Sequence, residues 1–267
     1  MLKDITLGQY FPGNSVLHRL DPRIKIVLTV LLIALLFCVK NFLGFGVIFL
    51  FVCVLTGISH IGPRVILKSV KPLLFVIVLT AVFNIFYGSG EPVFQNISWL
   101  GWLTWGGLKN AAFMGIRIIL LIICTSFMTY TTSPVMLTDA IERLLTPLKK
   151  IKLPVHEFAM MMTIALRFIP TLIDETEKII NAQKARGADF ETGNLVARAK
   201  ALVPIMIPLI VSAFRRAEEL ADAMECRCYH GGDGRTRYKV YSLKLADYVA
   251  VFVLCALFVL IILLNVL

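Results

Sequence analysis

Charge in this chain is segregated: long stretches hold almost none, and one stretch holds most of it. Apolar runs cover Ile24 to Val39, Phe42 to Ile58, Val65 to Tyr87, Leu108 to Tyr130 and Tyr248 to Leu267. Each approaches or reaches the ~20 residues that a helix needs to cross a ~30 Å hydrocarbon layer. Between the last two runs, segment 131–245 is rich in Lys, Arg, Asp and Glu. Over the whole chain 16% of residues are charged, where an ordinary soluble domain has roughly a quarter. The pattern predicts an all-α membrane protein with about five transmembrane helices plus long amphipathic cytoplasmic helices.

The expected divisions are an N-terminal cytoplasmic segment 1–23, the first four transmembrane helices within 24–130, a cytoplasmic or interfacial region 131–245, and a C-terminal transmembrane helix within 246–267. Only Lys40 and Asn41 separate the first two runs. Residues 24–58 therefore form either a hairpin of two short spans or one re-entrant unit.

Orientation follows from Lys and Arg, which collect on the cytoplasmic side. The N-terminal segment and the start of the first span hold Lys3, Arg19, Arg23 and Lys25, and the loop before the third span adds Arg64, Lys68 and Lys71. Most of the rest fall in 131–245, while the opposite side holds Lys40 and Lys109. The expectation is a multi-pass protein of a bacterial plasma membrane, N-terminus cytoplasmic and C-terminus outside. The net charge of +10 then reads as membrane topology, not nucleic-acid binding, since no base-stacking motif or zinc-finger spacing accompanies it. The outer loop, about 88–107, carries Trp99, Trp102 and Trp105, which suit the headgroup belt.

Segment 131–245 reads as three helices. Ser133-Pro134 opens one over Val135 to Leu148, with a cap residue followed by Pro at the first helical position. Pro154 opens a second that runs to about Gly187 with Pro170 inside it. Asn194 or a near neighbour opens a third that carries Pro204 and Pro208 and ends near Tyr229. The last two are amphipathic, and such helices lie along a membrane surface or meet a partner.

The sequence holds no G-x-x-x-x-G-K-[ST] loop. The intramembrane runs have no Asp or Glu in their middles, which weighs against a stand-alone proton-coupled transporter or channel, the alternative reading. Cys226, Cys228 and His230 fall short of a closed zinc site, so no metal is expected. The other four Cys lie in apolar runs and suggest no disulfide framework. Arg117 is the one charge deep in a span. It is either a partner-facing or polar-pocket residue, or an Arg satisfied by carbonyls and water.

Two short motifs stand out. Ala185-Arg186-Gly187 ends the second cytoplasmic helix, and Cys226-Arg227-Cys228 ends the third. Each sets an Arg between small residues, where its guanidinium can enter a groove and bond carboxylates bidentately. The plainer alternative is an Arg that caps helix carbonyls.

The chain resembles the transmembrane T component of energy-coupling-factor transporters, which import vitamins and trace metal ions. The match runs over nearly the whole length. Its motifs are Tyr10-Phe11-Pro12-Gly13-Asn14-Ser15, His18-Arg19-Leu20-Asp21-Pro22-Arg23-Ile24-Lys25, Thr132-Ser133-Pro134, Ala165-Leu166-Arg167-Phe168-Ile169-Pro170, Ala182-Gln183-Lys184-Ala185-Arg186-Gly187, and Arg215-Arg216-Ala217 through Arg227, Tyr229 and Arg235-Thr236. The resemblance implies a non-catalytic scaffold whose two Arg motifs, on coupling helices, dock acidic grooves of two ATPase subunits. It implies ATP and Mg on those partners and none bound directly here. It also implies a separate substrate-binding S component, which the scaffold reorients in the lipid bilayer. The family's second motif usually reads Ala-Arg-Gly. The Gly is Cys228 here, and Cys tolerates a left-handed helix cap poorly.

Overall fold

The computed structural model describes residues 10–86, 104–152, 154–188, 190, 194–232 and 241–266. The expected outer loop with Trp99 and Trp102 lies outside them, as do Lys3, Arg235 and Thr236. The protein is all-α. Its helices are α1 (Val16–Arg19), α2 (Pro22–Cys38), α3 (Phe42–Ser59), α4 (Pro63–Val70), α5 (Leu74–Phe86), α6 (Trp105–Thr131), α7 (Pro134–Leu145), α8 (Val155–Ala185), α9 (Leu195–Glu225) and α10 (Leu245–Val266). Short 3₁₀ turns, Lys71–Leu73 and Thr146–Ile151, follow α4 and α7. The chain divides into two compact units. One is Gly8–Ala140 with Tyr241–Leu267, the other is built around Ile141–Val240, and the boundary falls inside α7.

The first unit is a helix bundle. Its core is Leu32, Leu35 and Leu36 of α2, Phe45, Ile48 and Val52 of α3, Leu120, Ile123, Cys124 and Phe127 of α6, and Leu254, Leu257 and Ile261 of α10. Within each helix these positions recur every three or four residues, which puts them on one face. Lipid tails are as apolar as Leu, so close backbone approach matters more here than in water. At Gly107 a Cβ would stand 3.0 Å from the carbonyl oxygens of Asn84 and Ile85. Glycine lets α6 meet the end of α5 there.

Charged side chains clamp one end of this bundle. Asp21 caps α2, accepting the N–H of Arg23 at 2.9 Å, with Pro22 at the first helical position. The Arg23 guanidinium forks onto the same carboxylate, the shortest contact being 2.6 Å. Asp247, in the first turn of α10, accepts the N–H of Lys244 and the N–H of Asp21, each at 2.8 Å. One carboxylate therefore closes the N-termini of two helices, the stabilising end for a negative charge. Lys25 does the converse for α6. Its Nζ donates to Thr131 O at 2.9 Å and to Thr132 Oγ1 at 3.3 Å, at the C-terminal end that favours a cation.

Uncharged groups pin the other end. Asn265 accepts the N–H of Lys40 and donates to Cys38 O, and Asn41 donates to Leu264 O. The start of α2, the end of α6 and the start of α10 thus share one end of the bundle. The α2–α3 turn and the end of α10 share the other. Residues 24–58 form a hairpin of two helices.

By length and composition, five helices suit a membrane crossing: α3, the continuous stretch Pro63–Phe86, α6, α8 and α10. Four agree with the sequence expectation. α8 was expected on the cytoplasmic side, and its best window has a mean hydropathy of 1.2 against 2.2 to 3.2 for the others. α2, expected as the first span, has 17 residues. At ~1.5 Å per residue that is about 25 Å, short of the ~30 Å layer. It nonetheless runs alongside α10, its start bonded to Asp247 and its end to Asn265.

In the second unit α8 and α9 pack antiparallel. Gln183 Nε2 donates to Pro204 O at 3.4 Å. Closer to the start of α8, the Glu175 carboxylate receives the Ser212 hydroxyl on one oxygen and the Arg216 guanidinium on the other. The partner number on α9 rises as that on α8 falls, which fixes the direction. The prolines inside these helices, Pro170, Pro204 and Pro208, each remove one backbone donor and favour a bend.

Candidate docking site

The two Arg motifs occupy the same structural position. At the end of α8, the N–H of Gly187 donates to Lys184 O and that of Ala188 to Gln183 O, both at 3.0 Å. This is a Schellman closure, which needs left-handed backbone at its turning residue. Gly187 supplies it with φ +86°. At the end of α9, the N–H of Cys228 donates to Glu225 O at 2.8 Å and that of Tyr229 to Met224 O at 3.0 Å. Here the turning residue is Cys228, at φ +55°. Arg186 and Arg227 each directly precede the turning residue.

Cys228 thus adopts the left-handed cap that sequence reasoning left open. The hydrogen bonds of the closure hold it there against a Cβ penalty of roughly 1–2 kcal/mol. Replacing it by Gly removes that penalty and adds unfolded-chain entropy, so Cys228→Gly is expected to stabilise the protein by about 0.5–1 kcal/mol. Gly187→Cys should cost a similar amount, since its Cβ would meet open space and only the backbone would object. Thermal unfolding of the two variants checks both signs.

Ala185, Arg186, Gly187, Cys226, Arg227 and Cys228 are all exposed. Among the described residues neither Arg186 nor Arg227 makes a side-chain hydrogen bond or ion pair. Their side chains are not occupied in capping carbonyls. The antiparallel packing sends them to opposite ends of the helix pair. The ~1.5 Å rise separates them by on the order of 30–40 Å, so a single groove cannot take both.

The second cap is also tied down. A Cβ at Gly232 would stand 2.3 Å from the ring of His156. His156 Nδ1 in turn pairs with Glu142 Oε1 at 3.0 Å. The chain just beyond Arg227 therefore lies against the first turn of α8, and only Gly fits that approach.

Arg117 is not part of either cap. On α6, its Nη2 donates to Val39 O at 3.0 Å, at the end of α2. Its guanidinium lies 5.1 Å from the ring centre of Phe113 and 5.8 and 5.9 Å from those of Phe37 and Phe45. A carbonyl and three ring faces share the cation in a bilayer-like setting. No group of three or more His, Cys, Asp or Glu that could hold a metal occurs among the described residues.

Sequence reasoning missed Asp247 and Glu175. The signal for Asp247 was its place three residues after Lys244 at the head of an apolar run, the spacing of a reciprocal N-terminal cap. Glu175 had no comparable mark; it is one of several acids on an amphipathic helix. A cavity of about 430 Å³ between the Phe11–His18 segment and the α3–α4 connection was also not foreseen. Within it His18 bonds Ser15 Oγ at 2.6 Å and Phe11 O at 2.9 Å. Burial pushes its pKa below the usual histidine value.

Residues 13–238 match the family described as "Cobalt transport protein", CbiQ. The "Energy-coupling factor transporter transmembrane protein EcfT" of Ruminiclostridium cellulolyticum is 54% identical over 241 residues, covering 90% of this chain and 89% of its own. The protein of the same name from Clostridium kluyveri is 53% identical over 260 residues, covering 96% and 94%. The one from Bacillus subtilis is 43% identical over 239 residues, covering 90% of each. The chain therefore belongs to the CbiQ family, as the transmembrane component of energy-coupling factor transporters.

Proposed function

We propose that this chain couples ATP hydrolysis on two ATPase subunits to movement of a separate S component that binds a vitamin or metal ion. Arg186 and Arg227 are the docking points, one for each ATPase. The observation that carries the reading is the pair of equivalent helix caps, each presenting an exposed, unengaged Arg, at opposite ends of one antiparallel helix pair. Closure of an ATPase dimer around bound ATP and Mg would pull on both caps. α8 and α9 would pass that motion to the membrane helices and so to the S component. In this reading the caps and the N-terminus face the cytoplasm of a bacterial cell, and the end of α10 faces outward. The bias of Lys and Arg supports that orientation.

The test is co-purification of the ATPase subunits with the tagged chain. Arg186→Glu or Arg227→Glu alone should weaken the complex by about 2–5 kcal/mol, the cost of removing one partner of a docked charge pair. Both together should abolish it. Recovery of a full complex with the double variant overturns the assignment.

A further inference from the structure

α4 carries Arg64, Lys68 and Lys71 at its start, four residues on, and just past its end. That spacing gathers three cations on one helical face. All three are exposed, and among the described residues none of their side chains makes a hydrogen bond or ion pair. Acids are sparse in this part of the chain: between Asp21 and Asp139 the sequence holds only Glu91. On the opposite face Ile66 is buried, and Val65 and Val70 pack on the bundle core. The helix therefore presents its cations outward by construction.

What lies next to the cations is apolar and uncovered. Leu67 is 65% exposed and Phe75 is 74% exposed, and Leu74, Val78 and Val82 are exposed with them. The whole stretch Pro63–Phe86 is long and apolar enough to cross a membrane, and only 6% of its best window is buried. The exposed face of α5 is open to lipid, and the basic face of α4 is the head of the same helical stretch. Cations at one end and open hydrocarbon along the rest are the complement of an anionic phospholipid, headgroup and tails. A protein partner on α4 would have to sit at the edge of that lipid-covered surface.

We propose that α4 selects anionic phospholipid from the leaflet at its end of the bundle, with Arg64, Lys68 and Lys71 as headgroup ligands. The probe is native mass spectrometry of the purified chain released from nanodiscs of mixed phosphatidylcholine and phosphatidylglycerol. The wild-type chain should retain phosphatidylglycerol over phosphatidylcholine by at least roughly tenfold. Lys68→Gln alone should cut that preference by roughly fivefold. The triple variant Arg64→Gln, Lys68→Gln, Lys71→Gln should remove it, and Arg64→Lys with Lys68→Arg and Lys71→Arg should keep it. Lys40→Gln with Lys109→Gln, two cations elsewhere on the same unit, should leave it unchanged. Equal retention of the two lipids by the wild-type chain overturns the proposal, as does a triple variant that keeps its preference. A triple variant that keeps phosphatidylglycerol but loses co-purified subunits overturns it in favour of a protein contact.

Discussion

Asp247→Ala is expected to destabilise the bundle by about 3–5 kcal/mol, the cost of breaking a buried charged network from one side. The Asp247 side chain is fully buried, 2% exposed. Its removal strands the N–H of Asp21 and the N–H of Lys244, each of which it accepts at 2.8 Å. It also strips the nearby Lys25 cation, itself 7% exposed, of negative charge. Asp247→Asn keeps one carbonyl acceptor but loses the charge, so its cost should fall between those of wild type and Ala. Lys25→Met removes the cation that needs a counter-charge, so Asp247→Ala should cost less in that background than alone. Thermal unfolding of wild type, the three single variants and the Asp247→Ala, Lys25→Met double variant in one detergent measures all of this. A loss below about 1 kcal/mol for Asp247→Ala, or strict additivity with Lys25→Met, would show that the carboxylate does not hold α2 and α10 together.

The helices were legible in the sequence because a membrane simplifies the signal. A run such as Phe42 to Ile58 admits few readings other than a buried helix. Pro154 and Gly187 likewise marked the ends of α8 to within a residue or two. Helix-end geometry was less legible. Gly187 announced a left-handed cap by being Gly, but Cys228 gave no such notice. Only the paired bonds to Glu225 O and Met224 O reveal that the second Arg sits in the same closure as the first. The partners of buried charges were not legible at all. Asp247 meets the backbone of a residue 226 positions away, and Lys25 meets a carbonyl 106 positions away and a hydroxyl 107 positions away. No local pattern encodes such pairs; they follow from how the helices pack. Arg117 shows the same limit. Its position in a span flagged it, but the Val39 carbonyl and three Phe rings that hold it come from three different helices or helix ends.

Glu175→Ala should leave the ATPases bound but sharply reduce substrate uptake by the assembled transporter. The reasoning starts from where the residue sits. Glu175 makes the charged contact between α8 and α9, through the Ser212 hydroxyl and the Arg216 guanidinium. Both Arg caps lie beyond it on either side, so the variant leaves Arg186 and Arg227 and their closures intact. What it removes is the charged contact between the two helices, leaving the Gln183–Pro204 hydrogen bond. The ion pair is partly open to solvent, its side chains 32% and 20% exposed. Its stability value is therefore modest, about 1–2 kcal/mol by a double-mutant cycle with Arg216→Ala. A modest static cost with a large loss of uptake is the mark of a transmission element. Glu175→Gln keeps an acceptor for Ser212 while dropping the charge, and should retain part of the uptake. If co-purification and uptake both survive Glu175→Ala, the helices move independently and the motion leaves the caps by another route. If co-purification is lost instead, Glu175 holds the caps at the spacing that two ATPases require, and its role is positional.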